Sequence, residues 1–404
     1  MMPPRWSETP SHDSYDVVII GGAMMGSASA WFLTDLAEFD GSVLVIDRDP
    51  SFAKSSTAHT NSCIRQQFST ALNVQISQFT AAFITSLRDR MGDARVPDLA
   101  IQNFGYLYLA GTDSGAEVLR ANHAVQRAAG AGTRLLTPDE MHMHFPFLNV
   151  DDLCLGAHNT RDEGYWDGGT VFEWFRRSAM ARGVEYLSGE VTRLTRQGDR
   201  ISHVVLADGR QIACGHVVNA AGPRAARIAT MAGIDLPVEP RKRFTWVFEA
   251  ERTLDRDLPL TVDPAGVHVR TDGRQTYMAG CAPEHDHAVD PNDFTIDANR
   301  WLDHAWPIIA TRIPQFDALR IVSEWAGHYA YNVLDQNAVL GPHPYVANLI
   351  FQNGFSGHGL QQAPAMGRGV AEWITYGAYR SLDLSPFAFD RILSGRPILE
   401  RAVI

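Results

Sequence analysis

The chain has 404 residues, 45% of them hydrophobic and 20% charged, with a formal net charge of −11, so it can bury one large core or two coupled ones. The acidic balance excludes the basic footprint of a nucleic-acid or anionic-lipid binder. Cys63, Cys154, Cys214 and Cys281 are dispersed with no C-x-x-C pair, which excludes a disulfide framework or zinc knuckle.

Residues 1–14 are expected to form a disordered start; this polar, proline-containing stretch lacks the apolar core of a signal peptide. The apolar run Val17-Val18-Ile19-Ile20 then leads into Gly21-Gly22-Ala23-Met24-Met25-Gly26, a small-residue helical segment (27–33), and a second apolar run, 43–46, closed by Asp47. This is the pattern of strand, glycine turn, helix and strand that binds a dinucleotide. The glycines let the backbone approach a pyrophosphate, the helix N-terminus supplies unpaired N–H groups, and an acid about 20 residues on accepts from a ribose. Ala23 replaces the middle glycine of G-x-G-x-x-G, which costs some closeness of approach but leaves the turn feasible.

A Ser/Thr-rich turn, 55–62, follows, then helical apolar spacing from 72 to 92 and a strand at 105–110. Thr137-Pro138-Asp139-Glu140 reads as a helix start with a capping box. An amphipathic helix at 170–182 precedes a strand at 184–187, a hairpin-like pair at 190–196 and 201–207, and a buried strand ending in Asn219-Ala220-Ala221-Gly222. Residues 243–250, 267–270 and 275–281 alternate like antiparallel strands. The chain closes on an apolar run at 349–351, the glycine-rich Gly354-Phe355-Ser356-Gly357-His358-Gly359-Leu360-Gln361 and a helix at 363–377. No stretch is long enough for a membrane-spanning helix, and a cytoplasmic protein is expected. Strand-turn-helix units at both ends imply an α/β nucleotide domain made of 15–90, 150–230 and 335–404, interrupted by an antiparallel substrate domain of 91–149 and 231–334.

The run Val17 to Gly26, Asp47, Asn219-Ala220-Ala221-Gly222 and above all Gly354-Phe355-Ser356-Gly357-His358-Gly359 resemble the FAD-dependent D-amino acid oxidase superfamily, on its sarcosine oxidase and dimethylglycine dehydrogenase branch. The resemblance implies FAD, a glutathione-reductase-like Rossmann domain with an interleaved antiparallel-sheet substrate domain, and oxidation of a C–N bond. It places Gly21, Ala23, Met25, Gly26, Asp47, Arg48, Ser55, Ser56, Thr57, His59, Val191, Ala220, Gly222, Gly354, Gly357, His358, Gly359, Leu360 and Gln361 around the cofactor, with Val191 at a backbone contact to the adenine. C-terminal glycines let a backbone pass close to the flavin ring, and the helix start beyond them stabilises negative charge on it.

Arg65 falls where sarcosine oxidases hold the substrate carboxylate with an arginine, whose two parallel N–H donors match a carboxylate. Those enzymes carry a lysine after Gly-His-Gly where this chain has Gln361, which keeps a donor and loses a charge. Arg270 is an alternative second cation, on the same strand face as His268. Lys54 and Lys242 are the only lysines against 33 arginines, and the segment 276–281 lacks the lysine that promotes reaction with oxygen in the resembled oxidases. This implies a dehydrogenase passing electrons to an electron-transfer protein or quinone, with an oxidase using O2 and producing H2O2 as the alternative. Ser56-Thr57-Ala58-His59 resembles the Ser-Thr-Trp-His of dimethylglycine and sarcosine dehydrogenases, where the histidine bonds covalently to the flavin; covalent and noncovalent FAD both stand for His59. His328 occupies the position of cysteinyl attachment in sarcosine oxidase, which argues against that link.

Glu284-His285-Asp286-His287 has metal-ligand spacing but no distant partner and reads as a solvated loop. Trp246, Trp325, Tyr329 and Tyr331 are candidate pocket walls. The expected activity is oxidation of a secondary amine or amino acid. Arg65 orients the substrate, His358 sets the electrostatics, and His268 or Tyr331 tunes amine protonation. Similarity of the C-terminal motif to a mitochondrial flavoprotein of the superfamily implies an alternative, an assembly factor with structural FAD.

Overall fold

A computed structural model describes residues 6–403. Two eight-stranded sheets organise it. In the first, strands Val346–Asn353, Gln211–Asn219, Ser14–Ile20, Val43–Asp47 and Glu185–Ser188 lie parallel in that order, with Val339–His343 antiparallel on one edge. The hairpin Val191–Gln197 and Arg200–Leu206 joins it through Gln211–Asn219. The central parallel strands read as unbroken apolar runs because both faces are covered. Val17 and Ile19 pack against the helices Met24–Asp35, Gly168–Ala181 and Gly359–Tyr376, while Val18 and Ile20 face the hairpin and residues 225–238.

The second sheet runs in the order Leu319–Asn332, Val238–Ala250, Thr276–Cys281, His268–Thr271, Leu260–Val262, Tyr106–Ala110, Leu155–Asn159 and Arg134–Leu136. It is antiparallel except where Leu260–Val262 meets Tyr106–Ala110. The expected strands and the Thr137–Glu140 capping box are present. Two helices meet closely at Gly367, where a Cβ would lie 2.7 Å from the Ala28 carbonyl carbon. The small residues of the segment 27–30 serve this contact.

Three expectations need correction. Residues 6–14 are not a disordered tail: Ser7 bridges the edge strand Glu185–Ser188 through Ser7 N–H to Tyr186 O at 2.8 Å and Ser188 N–H to Ser7 O at 2.9 Å. Trp6 covers that edge, its ring 5.3 Å from Tyr186 and 5.7 Å from Phe52. The strand Leu155–Asn159 joins the second sheet and not the first, because it pairs with Tyr106–Ala110; its Leu-Gly-Ala-His-Asn sequence shows no alternation to announce a strand. The last long helix begins at Gly359 rather than 363, with Pro364 inside its second turn, where proline removes one helical hydrogen bond.

Candidate active site

A cleft of about 280 Å³ runs between the two sheets, lined from the glycine turn after Ser14–Ile20 at one end to Arg65 at the other. At one end the strand Ser14–Ile20 stops at Gly21, whose φ of +103° and a would-be Cβ 2.4 Å from Ala220 O exclude a side chain. Gly26 packs as tightly beneath, its would-be Cβ lying on the Gly21 carbonyl. The helix Met24–Asp35 starts from Ala23, which has no capping side chain. Apart from Met24 N–H, bonded to Thr57 Oγ1 at 3.3 Å, its first turn is left for an anion. Asp47 accepts from Gly22 N–H at 2.7 Å and Asp49 N–H at 2.9 Å. Burial raises its carboxyl pKa above the usual range, opposed by those two bonds. Arg48 and Arg224 share the Asn292 Oδ1 at 3.2 and 2.7 Å. This donor set and glycine cradle fit FAD.

The other end is built around Arg65, buried and lining the cleft. Its Nε donates to Gln67 O at 3.3 Å, and its Nη2 donates to His358 Nε2 at 3.0 Å and to Ala402 O. The guanidinium lies 4.3 Å from the Phe68 ring centre and about equally far from those of Tyr106 (6.0 Å) and Tyr108 (5.9 Å). Among the described residues, no carboxylate forms an ion pair with it. Among the described residues, Nη1 has no hydrogen-bond partner. Burial opposes its charge, yet Tyr108, Tyr106, Glu400 and Glu163 hold its pKa above the ordinary value. His358 must accept from the arginine, so Nε2 carries no proton; burial, then Arg65, pushes its pKa well down and keeps the ring neutral. Gln361 Oε1 accepts from Arg65 N–H at 2.9 Å and fixes the arginine's backbone.

Most of the residues expected around the cofactor line this cleft: Gly21, Ala23, Met25, Asp47, Arg48, Ser55, Ser56, Thr57, His59, Val191, Ala220, Gly222, Gly357, His358, Gly359, Leu360 and Gln361. Gly26 and Gly354 do not. Gly354, at φ +72°, packs against Asn332 and Val238 instead. His59 donates Nδ1–H to Ser55 O at 2.9 Å and shares the Phe294 ring with His328.

His268 reaches the cleft, its Nε2 2.9 Å from Asn61 Nδ2. Burial, with Arg270 and Arg243, lowers its pKa to about 4. Arg270 is not a spare cation: it is paired with Asp272 at 2.9 Å and bonded to Asn61 O at 2.9 Å. The signal was in the sequence, since residues two apart share a strand face. Tyr331 lies off the cleft, stacked 4.4 Å from the Arg241 guanidinium. Trp246 is core, bonded to Glu324 at 3.1 Å, and Trp325 is not a wall either. Tyr329 is one: its ring fills the space a side chain at Gly357 would take. Sequence reasoning missed Asn61, Tyr106 and Arg243. Arg243 lines the cleft and pairs with Asp286 at 2.9 Å, so the Glu284–His287 loop supplies a counter-ion. No metal-binding cluster occurs among the described residues.

Comparison with known proteins agrees with this geometry. The family described as "FAD dependent oxidoreductase" (DAO) matches residues 16–373. The chain is 37% identical to FAD-dependent oxidoreductase domain-containing protein 1 of Xenopus laevis, covering 99% of this chain and 88% of that protein. It is 24% identical to mitochondrial sarcosine dehydrogenase of Mus musculus, over 93% of this chain and 41% of that protein. Among solved structures, L-proline dehydrogenase from P. horikoshii superposes with a TM-score of 0.81 at 26% identity, covering 95% of this chain and 99% of that one. The chain belongs to the DAO family of FAD-dependent oxidoreductases.

Proposed function

We propose that the protein oxidises the C–N bond of a carboxylate-bearing secondary amine or amino acid, as a dehydrogenase. The observation that carries this reading is Arg65: a buried guanidinium on the wall of the cofactor cleft, solvated by three neutral acceptors and without a carboxylate partner among the described residues. A buried cation without a direct ion-pair partner can take an incoming anion. Similar chains named for proline and sarcosine support an amino-acid substrate.

FAD, held by Gly21, Asp47 and the backbone at 357–361, supplies the hydride acceptor. Arg65 binds the substrate carboxylate through Nη1 and so fixes the orientation of the amine end. Phe68, Tyr106 and Tyr108 enclose the guanidinium and keep its charge from being screened by water. Neutral His358 orients Arg65 by accepting from Nη2 and adds no second charge. His268, neutral at physiological pH and bonded to Asn61, adds no charge beside the amine. For the electrons, the lack of a lysine in the segment 276–281 supports transfer to a carrier: Lys242 is bound to Asp293 at 2.8 Å and Thr295 Oγ1 at 2.8 Å, and Lys54 lies in the loop after Asp47.

The test is the flavin absorbance band, followed anaerobically while N-methyl amino acids, cyclic and free amino acids are added, with air admitted afterwards. Bleaching by one class and slow recovery in air is the expected result. Fast recovery means an oxidase. No bleaching of a band that dithionite does reduce contradicts the reading and points to structural FAD.

A further inference from the structure

Behind Arg65 lies a strap of chain, Ile398–Ala402, that belongs to no strand or helix and is nevertheless tightly held. Its centre is Glu400, fully buried and without a cationic partner among the described residues. Such a carboxylate is costly unless its oxygens are filled. Here five donors fill them: Ser69 N–H at 2.8 Å, Ser69 Oγ at 2.7 Å, Thr70 N–H at 3.1 Å, Asn73 Nδ2 at 3.0 Å and the strap's own Ala402 N–H at 3.0 Å. All but the last belong to the start of the helix Ala71–Thr85, whose N-terminal partial charge also favours an anion. Arg401 N–H bonds Ser69 Oγ at 2.8 Å. Upstream, Ile398 N–H bonds Asp335 Oδ2 at 3.0 Å, and Asp335 is itself held by Arg391 at 2.7 Å.

The pinned strap delivers one atom to the active site, the Ala402 carbonyl on Arg65 Nη2. Counting donors shows the effect. Nη2 has two N–H bonds, one used by His358 and one by Ala402; Nε–H is used by Gln67. Among the described residues only Nη1 is left without a partner, so the guanidinium cannot rotate without breaking a charge-assisted hydrogen bond. The acceptor is neutral, so it orients the cation without quenching it.

We infer that the strap Ile398–Ala402 is a positioning element for the anion-binding guanidinium of Arg65, with Glu400 as its positioning residue. This rests on the carboxylate-binding reading of Arg65.

The experiment uses the FAD-loaded protein with benzoate as probe and uncharged benzamide as control, read by the flavin band and by calorimetry. Hydrogen exchange at the Arg401 and Ala402 amides is followed in parallel. In Glu400→Gln, and in the milder Ser69→Ala, exchange at both amides rises and benzoate binding weakens by about tenfold or more, the scale of one hydrogen bond to a charged group. Benzamide and FAD affinities stay as in the parent protein. Faster exchange with unchanged benzoate affinity overturns the inference, as does tighter binding, which would make the strap a competitor. Unchanged exchange overturns Glu400 as the pin. Arg65→Ala separates the two claims: if it still binds benzoate as the parent does, the carboxylate reading falls and this inference with it. If it loses benzoate while the strap variants do not, only this inference falls.

Discussion

At the residue scale the site divides into groups whose chemistry is visible from their own sequence context and groups defined by distant partners. Gly21 and Asp47 are of the first kind, because a turn at positive φ and an acid at fixed spacing are local facts. Gly21→Ala meets Ala220 O at 2.4 Å, and FAD titration of the variant is expected to show affinity reduced by about tenfold, the equivalent of 1–2 kcal/mol of backbone strain. Arg65 was legible as a candidate only through similarity; its freedom from a carboxylate depends on Gln67, His358 and Ala402, the last 337 residues away. Arg270 misled for the same reason in reverse, its charge being spent on Asp272. Glu163 gave no local signal at all. It is fully buried, accepts from Gln66 N–H at 2.6 Å and Gln67 Nε2 at 3.0 Å, and burial raises its pKa to about 7. The native state therefore holds a proton between pH 4.5 and 7 that the unfolded chain releases. Stability should fall as pH rises through that window, by roughly 3 kcal/mol for this group. Denaturant midpoints at pH 5 and 8 check this, with Glu163→Gln expected to flatten the difference.

At the element scale the βαβ unit, the hairpin at 190–207 and the capping box were readable because periodicity and caps act within a few residues. What the helices pack against was not. The small segment 27–30 looked like a helix, but its reason is Gly367 on another helix, with a would-be Cβ 2.7 Å from Ala28. Gly367→Val forces these helices apart beside the pyrophosphate end, and a loss of about 1–3 kcal/mol is expected in urea unfolding. Leu155–Asn159 escaped notice because its residues do not alternate and its pairing, not its composition, makes it a strand. Trp6–Ser14 escaped because its anchors, two backbone hydrogen bonds of Ser7 to the edge strand and the Trp6 ring on Tyr186, have partners far along the chain.

At the scale of the whole molecule, the α/β nucleotide domain interrupted by an antiparallel domain was legible from the order of elements, while strand order was not. Gln211–Asn219 is inserted between Ser14–Ile20 and Val346–Asn353, a pairing set by contacts hundreds of residues apart. The cleft exists only because both sheets contribute walls, so FAD binding should couple to the stability of the whole chain. Stripped of FAD, the protein is expected to melt at a lower temperature. Cofactor added at about a hundred times its dissociation constant should restore about 2.7 kcal/mol; an unchanged melting curve would mean the two walls do not depend on what lies between them.

The central claim is that Arg65 selects a carboxylate next to the bond being oxidised. The most direct measurement is the anaerobic rate of flavin bleaching by the best amino-acid substrate and by its carboxamide, in the parent protein and in Arg65→Ala. The account predicts that the variant loses about a hundredfold in kcat/KM for the carboxylate, near 3 kcal/mol, and little for the carboxamide. Equal losses for both, or none for either, would contradict it.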